Sequence, residues 1–565
     1  MKSFTEFLLS TTCESTRSAL MSDQENFNDN SGAVTCDLPL SNDGIIQESF
    51  YNQIKAFSKS INFALLCLIA LPYSTFAAGG KKIKQPNVIF VFSDDQRYNS
   101  LGITGDPVTQ TPNLDQLARE GVFFSNAFIT SPICGPSRAN IFTGQWERKN
   151  HIGFNYVSNN IISEEIFNNS WIMQLNKAGY STAFIGKHHT KIADRDNTPL
   201  KENIDFCYFK EGHLGFYLDK HKVFSNLKNP TQVEGLFEAT EAFLKNGNEM
   251  DYFFENADIS VKDNLKRRDP DKPFCAWINF NLPHAASSLG MGARQGDPEF
   301  YYSLYEDQKD EIPFPEGYPQ EIALPKDVFA KEDLMSYYVT WNKPALMNEK
   351  IKMMRSVYAI DQFMAKLRQL LIDIDEDQNT IIVYCSDNGL FLGEHGLGGK
   401  SILYEESVHV PLIIYSPLLP KKRQGMQAEQ LVVGQDIPAT ILDMCGIKTP
   451  DTYHGKSMLP LIEGKNIAWR EDVFLENLFT DQGYPRHEAV RGKEYKYIRY
   501  FSRENDRNKY LPQLSINGEQ PIYEELFNLK EDPGEKKNLA DNPEYAKILD
   551  SYRARCQELV TQLAN

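Results

Sequence analysis

Cys134 stands in SPICGPSRANIFTG, Ser131 to Gly144, directly before Gly-Pro-Ser-Arg. Proline suits the first turn of a helix, where its missing N–H is an orphan donor in any case. That puts Cys134 at a helix mouth, whose free N–H groups and dipole attract anions. Arg138, four residues on, faces the same side. Thiol, helix N-terminus and guanidinium together describe a pocket for a tetrahedral oxyanion; an inert packed thiol is the alternative. Further candidates follow four short apolar runs. NVIFVF leads into Ser93-Asp94-Asp95, TAFIG into Lys187-His188-His189, PFCAWINFNL into Pro283-His284, and TIIVYC into Ser386-Asp387-Asn388-Gly389. Asp94, Asp95, Asp387 and Asn388 form an oxygen-rich set that suits a hard divalent cation, calcium or magnesium, rather than zinc. Lys400 lies in GLGGKSILYEE, where the preceding glycines let the loop approach a ligand closely. Taken singly, an Asp-Asp or Asp-Asn-Gly after a strand reads as a turn, and a lone histidine as surface or core.

The elements that must hold these residues are legible around them. Roughly 86–450 alternates short apolar runs with amphipathic helices, the pattern of a mostly parallel sheet covered on both faces. Ligands of such sheets bind outside the carboxyl ends of the strands. Four separate segments therefore deliver acids, an amide, a lysine and histidines to one edge, and this coincidence favours chemistry over turns. In TPNLDQLAREG, Thr111 reads as an N-cap, Pro112 as the first helical residue and Gly121 as the stop. Met353, Val357, Ile360, Met364, Leu367 and Leu371 recur at steps of four and three, a core-facing stripe.

The 565 residues suffice for one large domain and a smaller one. Apolar content of 41% and charged content of 24% are those of a globular protein. A net charge of -17 argues against a nucleic-acid partner, and an anionic substrate must be drawn in by local positive charge. Residues 1–54 are polar and read as a disordered extension. In 55–78, Lys55 and Lys59 precede an apolar run from Phe63 to Leu71, followed by Ser74, Thr75, Ala77 and Ala78. That order matches a secretory signal too short to span a bilayer, and so predicts an exported protein, periplasmic or secreted. Its internal position suggests that the assigned start is too early; a short buried helix is the alternative. Six of the nine cysteines follow Ala78 without a CxxC pair, so neither a zinc site nor a dense disulfide framework is indicated. With Cys134 set apart, five remain, and at least one is free.

CGPSR, with Thr143-Gly144, closely resembles the signature of the type I sulfatases, in which Cys-x-Pro-Ser-Arg directs oxidation of the cysteine to formylglycine. The resemblance continues through NVIFVFSDDQ, TPNLDQLAREGVFFSNAFITSPIC, IGKHH, KPFCAWINFNLPH, YCSDNGLFLGEHGLGGK, QDIPATILDMCGI and YEELFNLKEDPGEKKNLA. It implies an α/β fold similar to alkaline phosphatase: a large, mostly parallel sheet sandwiched by helices, with a smaller subdomain of antiparallel sheet plus helix. The catalytic domain would span 86–460 and the subdomain 461–565, with HEAVRGKEYKYIRYF and PIYEELFNL as strands and 543–563 as a closing helix. The resemblance further implies one calcium ion held by Asp94, Asp95, Asp387, Asn388 and, once converted, Cys134. The formylglycine hydrate would attack sulfur in line, with Asp387 accepting a proton and calcium polarising the sulfate oxygens. His284 and Lys400 would assist departure of the alcohol. The second hydroxyl would lose its proton towards His189 and expel sulfate, while Arg138 and Lys187 hold the sulfate charge and the hydrate. The implied partners are a sulfated carbohydrate, polysaccharide or oligosaccharide, and a maturation enzyme acting on Cys134; no membrane span is expected once the signal is removed.

Two positions depart from the family pattern. Gly-Lys-His-His replaces the common Gly-Lys-Trp-His, which assigns the proton-accepting role to His189 and a packing role to His188. His409 stands where arginine is common, which bears on loop support rather than on the chemistry. His151, His213, His395 and His454 fall outside the core set as structural or substrate-contacting residues. The segment 285–348, rich in Pro, Tyr, Phe and acids, reads as a specificity loop or a surface lid, with His151, His213 and Tyr217 near the pocket. Two rival functions share these residues: a phosphoester or phosphonate ester hydrolase of the same superfamily, and a catalytically dead, secreted glycan-binding protein.

Overall fold

Eight apolar runs pair into one sheet: β1 (Asn87–Asp94), β2 (Val122–Phe124), β3 (Ser181–His188), β4 (Phe206–Glu211), β5 (Phe274–Pro283), β6 (Thr380–Ser386), β7 (Leu412–Tyr415) and β8 (Met426–Ala428). The computed structural model describes residues 84–154, 161–194, 196–319, 321–329, 342–480, 484–502 and 509–564. The extension expected over 1–54 and the signal-like segment 55–78 lie outside the described residues. Strand order is β8-β2-β7-β6-β1-β5-β3-β4. The block from β6 to β4 is parallel; β7 runs antiparallel to β6 and β2, and β8 parallel to β2. Ser93 pairs with Ser386 and Asp94 with Pro283. The segments carrying Asp94, Lys187, His284 and Asp387 thus leave the sheet at one edge, as expected from the four strand ends.

The period of two sends alternate side chains to opposite layers. Ile89 and Val91 enter one core, and Val88, Phe90 and Phe92 the other. The covering helices are α1 (Pro112–Glu120), α2 (Cys134–Thr143), α3 (Trp171–Lys177), α4 (Gln232–Leu244), α5 (Lys343–Asp373) and α6 (Asp436–Met444). Helices α1, α4 and α5 pack on the first layer; α2, α3 and α6 pack on the second. In the α5 stripe, Val357, Ile360, Met364, Leu367 and Leu371 join the first layer, while Met353 packs with Leu346, Leu390 and Leu392. The α1 boundaries match the sequence, but its cap does not. Thr111 makes no side-chain cap; its hydroxyl donates to Asp115 at 2.9 Å. Asp361 of α5 instead accepts the N–H groups of Asn113 and Leu114, each at 2.8 Å. A carboxylate at the helix N-terminus satisfies the orphan donors and ties α1 to α5.

A second sheet is antiparallel, in the order β9 (Asp472–Asn477), β10 (His487–Gly492), β11 (Tyr495–Tyr500), β12 (Tyr523–Asn528). Helix α7 (Ala546–Ala564) covers it with Leu549, Cys556 and Val560. The same apolar cluster takes in Phe391, Leu397, Ile402, Leu403, Tyr404 and Val408, so this sheet packs against the loop that carries Lys400. Buried ion pairs add to the contact: Arg148 with Glu476 (2.6 Å) and Glu488 (2.9 Å), and Lys496 with Glu405 (3.1 Å) and Glu535 (2.9 Å). From Ile83 to Asn565 the chain forms one unit. Cys134, Cys207, Cys275, Cys385, Cys445 and Cys556 are all buried and free. No helix among the described residues is long and apolar enough to cross a membrane.

Candidate active site

Helix α2 begins at Cys134, after an extended Ile133, and every one of its residues is buried. This leaves the cysteine at the helix mouth with Pro136 in the first turn. The Cys134 thiol donates to Asp94 Oδ1 at 3.2 Å and receives Lys400 Nζ at 2.8 Å. Arg138, one turn on, donates from Nε to Asp387 Oδ2 (2.9 Å), and through its terminal nitrogens to Asn279 Oδ1 (3.1 Å) and the Phe280 carbonyl (3.3 Å). Its guanidinium lies 4.9 Å from the Phe92 ring centre. Asn279 was not among the sequence candidates. The available signal was a polar residue inside the apolar run of β5, paired with Gly186 of β3. A Cβ at Gly186 would stand 2.1 Å from the Asn279 carbonyl oxygen, so glycine there lets the two strands close and fixes where Lys187 leaves β3.

Asp94, Asp95, Asp387 and Asn388 are at most 2% exposed. Lys187 pairs with Asp94, and Lys400 with Asp95. The Asp95 N–H donates to Asp387 Oδ1 at 3.1 Å, and Asn388 Nδ2 donates to Asp95 Oδ1 at 2.6 Å. Asp95 is held at φ 64°, a region costly for a residue with a Cβ and concentrated at functional sites. Ligand atoms of Asp94, Asp95, Cys134 and His284 lie within 4.8 Å of one another. Asn388 Oδ1 is buried and has no partner among the described residues. Three buried carboxylates and a bare amide oxygen fit a hard cation such as calcium.

Charge balance sets the titration of this cluster. Burial alone would raise Asp94, but Lys187, His284, Lys400 and Arg138 hold it well below the usual carboxylate range. Asp387 is pushed up to about 7 by burial and by the charge of Asp94. Burial works against the Lys400 ammonium, yet Asp95, Cys134 and Asp94 raise its pKa well above the ordinary value. Burial, then Asp94, push the Cys134 thiol up. An unmodified Cys134 is therefore a neutral thiol, a poor nucleophile.

The histidines sort themselves. His284 Nδ1 accepts the Ala286 N–H at 3.0 Å, so the neutral ring carries its proton on Nε2, which faces Asp95 Oδ2 at 3.6 Å. Burial lowers His284 to about 4. His189 is depressed well below its ordinary value, by burial first and Lys187 second. His188 lies edge-on to Phe184 and Phe209, at 5.1 Å from each, with Nε2 3.2 Å from Asn197 Oδ1. Of the four histidines set outside the core group, His213 alone reaches the site: its ring centre is 5.3 Å from His189 and 4.5 Å from His284. His395 stacks on Tyr404 and His454 packs against Trp146. His151, exposed, caps a short helix. His409 lies between Tyr98 and Phe128, at 3.8 and 5.0 Å, and bonds the Ser125 carbonyl at 2.9 Å. Tyr217 is buried, with its hydroxyl on Asp297 Oδ2 at 2.5 Å. The structure thus links Asp94, Asp95, Cys134, Arg138, Lys187, His284, Asp387, Asn388 and Lys400 directly, with His189 joined to His284 through His213.

A mostly parallel sheet with an oxyanion cradle and an acid cluster at its strand ends defines a hydrolase of the alkaline-phosphatase-like class. A family model described as sulfatase matches residues 86–447, and one for the C-terminal region of N-sulphoglucosamine sulphohydrolase matches 393–562. The chain belongs to the type I sulfatase family and is an enzyme. It is 29% identical over 497 residues to an arylsulfatase of Clostridium perfringens, covering 83% of this chain and 93% of the relative. It is 27% identical over 547 residues to an N-acetylglucosamine-6-O-sulfatase of Bacteroides thetaiotaomicron, covering 86% and 88%. A protein solved in complex with its substrate D-glucosamine-2-N,6-O-disulfate superposes with a TM-score of 0.60 at 23% identity, over 85% of this chain and 98% of its own.

Proposed function

We propose that this enzyme releases inorganic sulfate from a sulfated carbohydrate, a polysaccharide or its oligosaccharides. In this reading Cys134 works as formylglycine and one calcium ion sits among Asp94, Asp95, Asp387 and Asn388. The supporting observation is the convergence of an anion-cradling helix mouth, four buried oxygen donors and four cationic or imidazole groups around one thiol. The relatives that act on N-acetylglucosamine 6-O-sulfate and D-glucosamine-2-N,6-O-disulfate support a sugar substrate. The signal-like segment 55–78 supports export, and we take 86–460 as the catalytic domain and 461–565 as its subdomain.

Calcium supplies a Lewis acid for the sulfate oxygens. Formylglycine at position 134 would supply a hydroxyl nucleophile that a thiol does not. The remaining work falls to side chains in place. Arg138 and Lys187 bring fixed positive charge beside Asp94 and Cys134, where a sulfate group gathers negative charge. His284 holds a proton on Nε2 and Lys400 holds one on Nζ, both aimed at the centre, so either can protonate a departing alkoxide. In this reading Asp387 takes the proton of the attacking hydroxyl, and neutral His189 accepts the second.

The test is the enzyme co-expressed with a maturation enzyme, purified with calcium and assayed on matched aryl sulfate and aryl phosphate, with the Cys134 peptide weighed by mass spectrometry. Sulfate turnover should dominate, and Cys134→Ala should abolish it. Dominant phosphate turnover would move the chain to the phosphoester and phosphonate ester hydrolases. A Cys134 peptide carrying the aldehyde but no turnover of either ester would leave the dead glycan-binding reading. Sulfate release from a panel of defined sulfated oligosaccharides then identifies the sugar.

A further inference from the structure

His213 has a fixed tautomer, and its fixing group can be read atom by atom. The Ser287 hydroxyl donates to the Leu214 carbonyl at 2.7 Å, so it accepts from Asn281 Nδ2 at 2.8 Å. That orients the Asn281 amide, whose Oδ1 also takes the Leu214 N–H at 3.3 Å. His213 Nδ1 lies 3.3 Å from this same oxygen and must therefore carry the hydrogen. In the neutral ring, Nε2 is then a bare acceptor. The residue is exposed at the mouth of the site. One edge of the ring is open, yet desolvation of the rest by its surroundings, followed by the charge of Lys187, holds its pKa below the ordinary histidine value.

Its position is equally fixed. The ring touches both His189 and His284, the two groups assigned to opposite ends of the reaction, and so borders the ester between them. The loop behind it is pinned to the 289–297 segment. Arg294 lies 3.5 Å over the Tyr217 ring and pairs with Asp219 at 2.6 Å, while Tyr217 and the Arg294 N–H both donate to Asp297.

We propose that His213 is a specificity-determining residue whose Nε2 accepts a hydrogen bond from an O–H or N–H donor on the carbon next to the sulfated one. The inference rests on the sulfatase reading and narrows the substrate: a hydroxyl or amide neighbour is selected, and a second sulfate there, offering only acceptors to a lone pair, is refused. A site built around a substrate donor discriminates against analogues that lack it, because its own acceptor is left unpaired.

Two small probes isolate the donor from the sugar: 2-hydroxyphenyl sulfate, which carries it, and phenyl sulfate, which does not. The mature enzyme should favour the first by roughly three- to tenfold in kcat/KM, the net worth of one ordinary hydrogen bond. His213→Ala should remove that preference, with the loss falling on the hydroxyl-bearing probe. His213→Gln, which restores an acceptor, should recover part of it. Equal losses on both probes, or a preference that survives His213→Ala, would overturn the assignment while leaving the sulfatase reading intact. Failure of the wild-type enzyme to release sulfate from either probe would overturn the sulfatase reading, and this inference with it.

Discussion

Asn388 spends its amide nitrogen on Asp95 and on the Gly389 carbonyl, at 2.6 and 2.7 Å, and leaves its oxygen bare. A buried acceptor without a donor costs about 1–3 kcal/mol, and a cation relieves that cost. Calcium added to chelator-treated enzyme should therefore raise the melting temperature as well as activity, since a ligand of the folded state alone stabilises it, by about 2.7 kcal/mol at a hundredfold excess over Kd. Asn388→Ala should blunt the response; a melting curve indifferent to calcium would count against the site. The adjacent histidines give a second residue-scale test. His189→Ala should lower kcat by at least about a hundredfold, the usual worth of a proton-transfer group. His188→Phe, which keeps the ring packing on Phe184 and Phe209, should cost only a few-fold. Sequence spacing brought out the directly linked set because each member follows a strand or opens a helix, where position is set locally. It passed over Asn279 and placed His213 near the pocket without a role, because each gains its meaning from a partner distant in sequence.

At the scale of elements, the parallel block β6 to β4 was legible because apolar runs of the right length end in polar groups. The α1 cap was not, since Asp361 arrives from a helix some 250 residues away. The docking of the second sheet was also hidden. Arg148, fully buried, is held by Glu476 of β9 and Glu488 of β10. Arg148→Met would strand Glu476 away from water, while Glu488 keeps Arg499, at a cost of about 3–5 kcal/mol. Urea unfolding should show that loss at neutral pH, and a variant as stable as the wild type would refute the argument.

Across the whole molecule, the antiparallel sheet serves as a clamp on the Lys400 loop. Tyr404 of that loop donates to Glu525 at 2.9 Å, as Tyr500 does at 2.7 Å. Burial pushes Glu525 from 4.5 up to about 7. The folded protein keeps this proton to near neutrality, while the unfolded chain releases it near 4.5. The group's contribution to stability is therefore complete below 4.5 and declines as pH rises to 7, by about 3 kcal/mol in all. Between pH 5 and 8 the wild type should lose more stability in urea than Glu525→Gln, whose amide does not titrate. Equal slopes would place the proton elsewhere.

Cys134 is only 3% exposed, walled in by its own helix, Asp94 and Lys400. Any catalyst that rewrites this side chain needs the surrounding peptide drawn out into a cleft of its own, and the finished enzyme does not offer it. Under the formylglycine reading proposed above, conversion would have to precede folding, so that biosynthesis would become a race between folding and oxidation. A chain that closes first would be sealed as inert thiol, indistinguishable in shape from its active sibling.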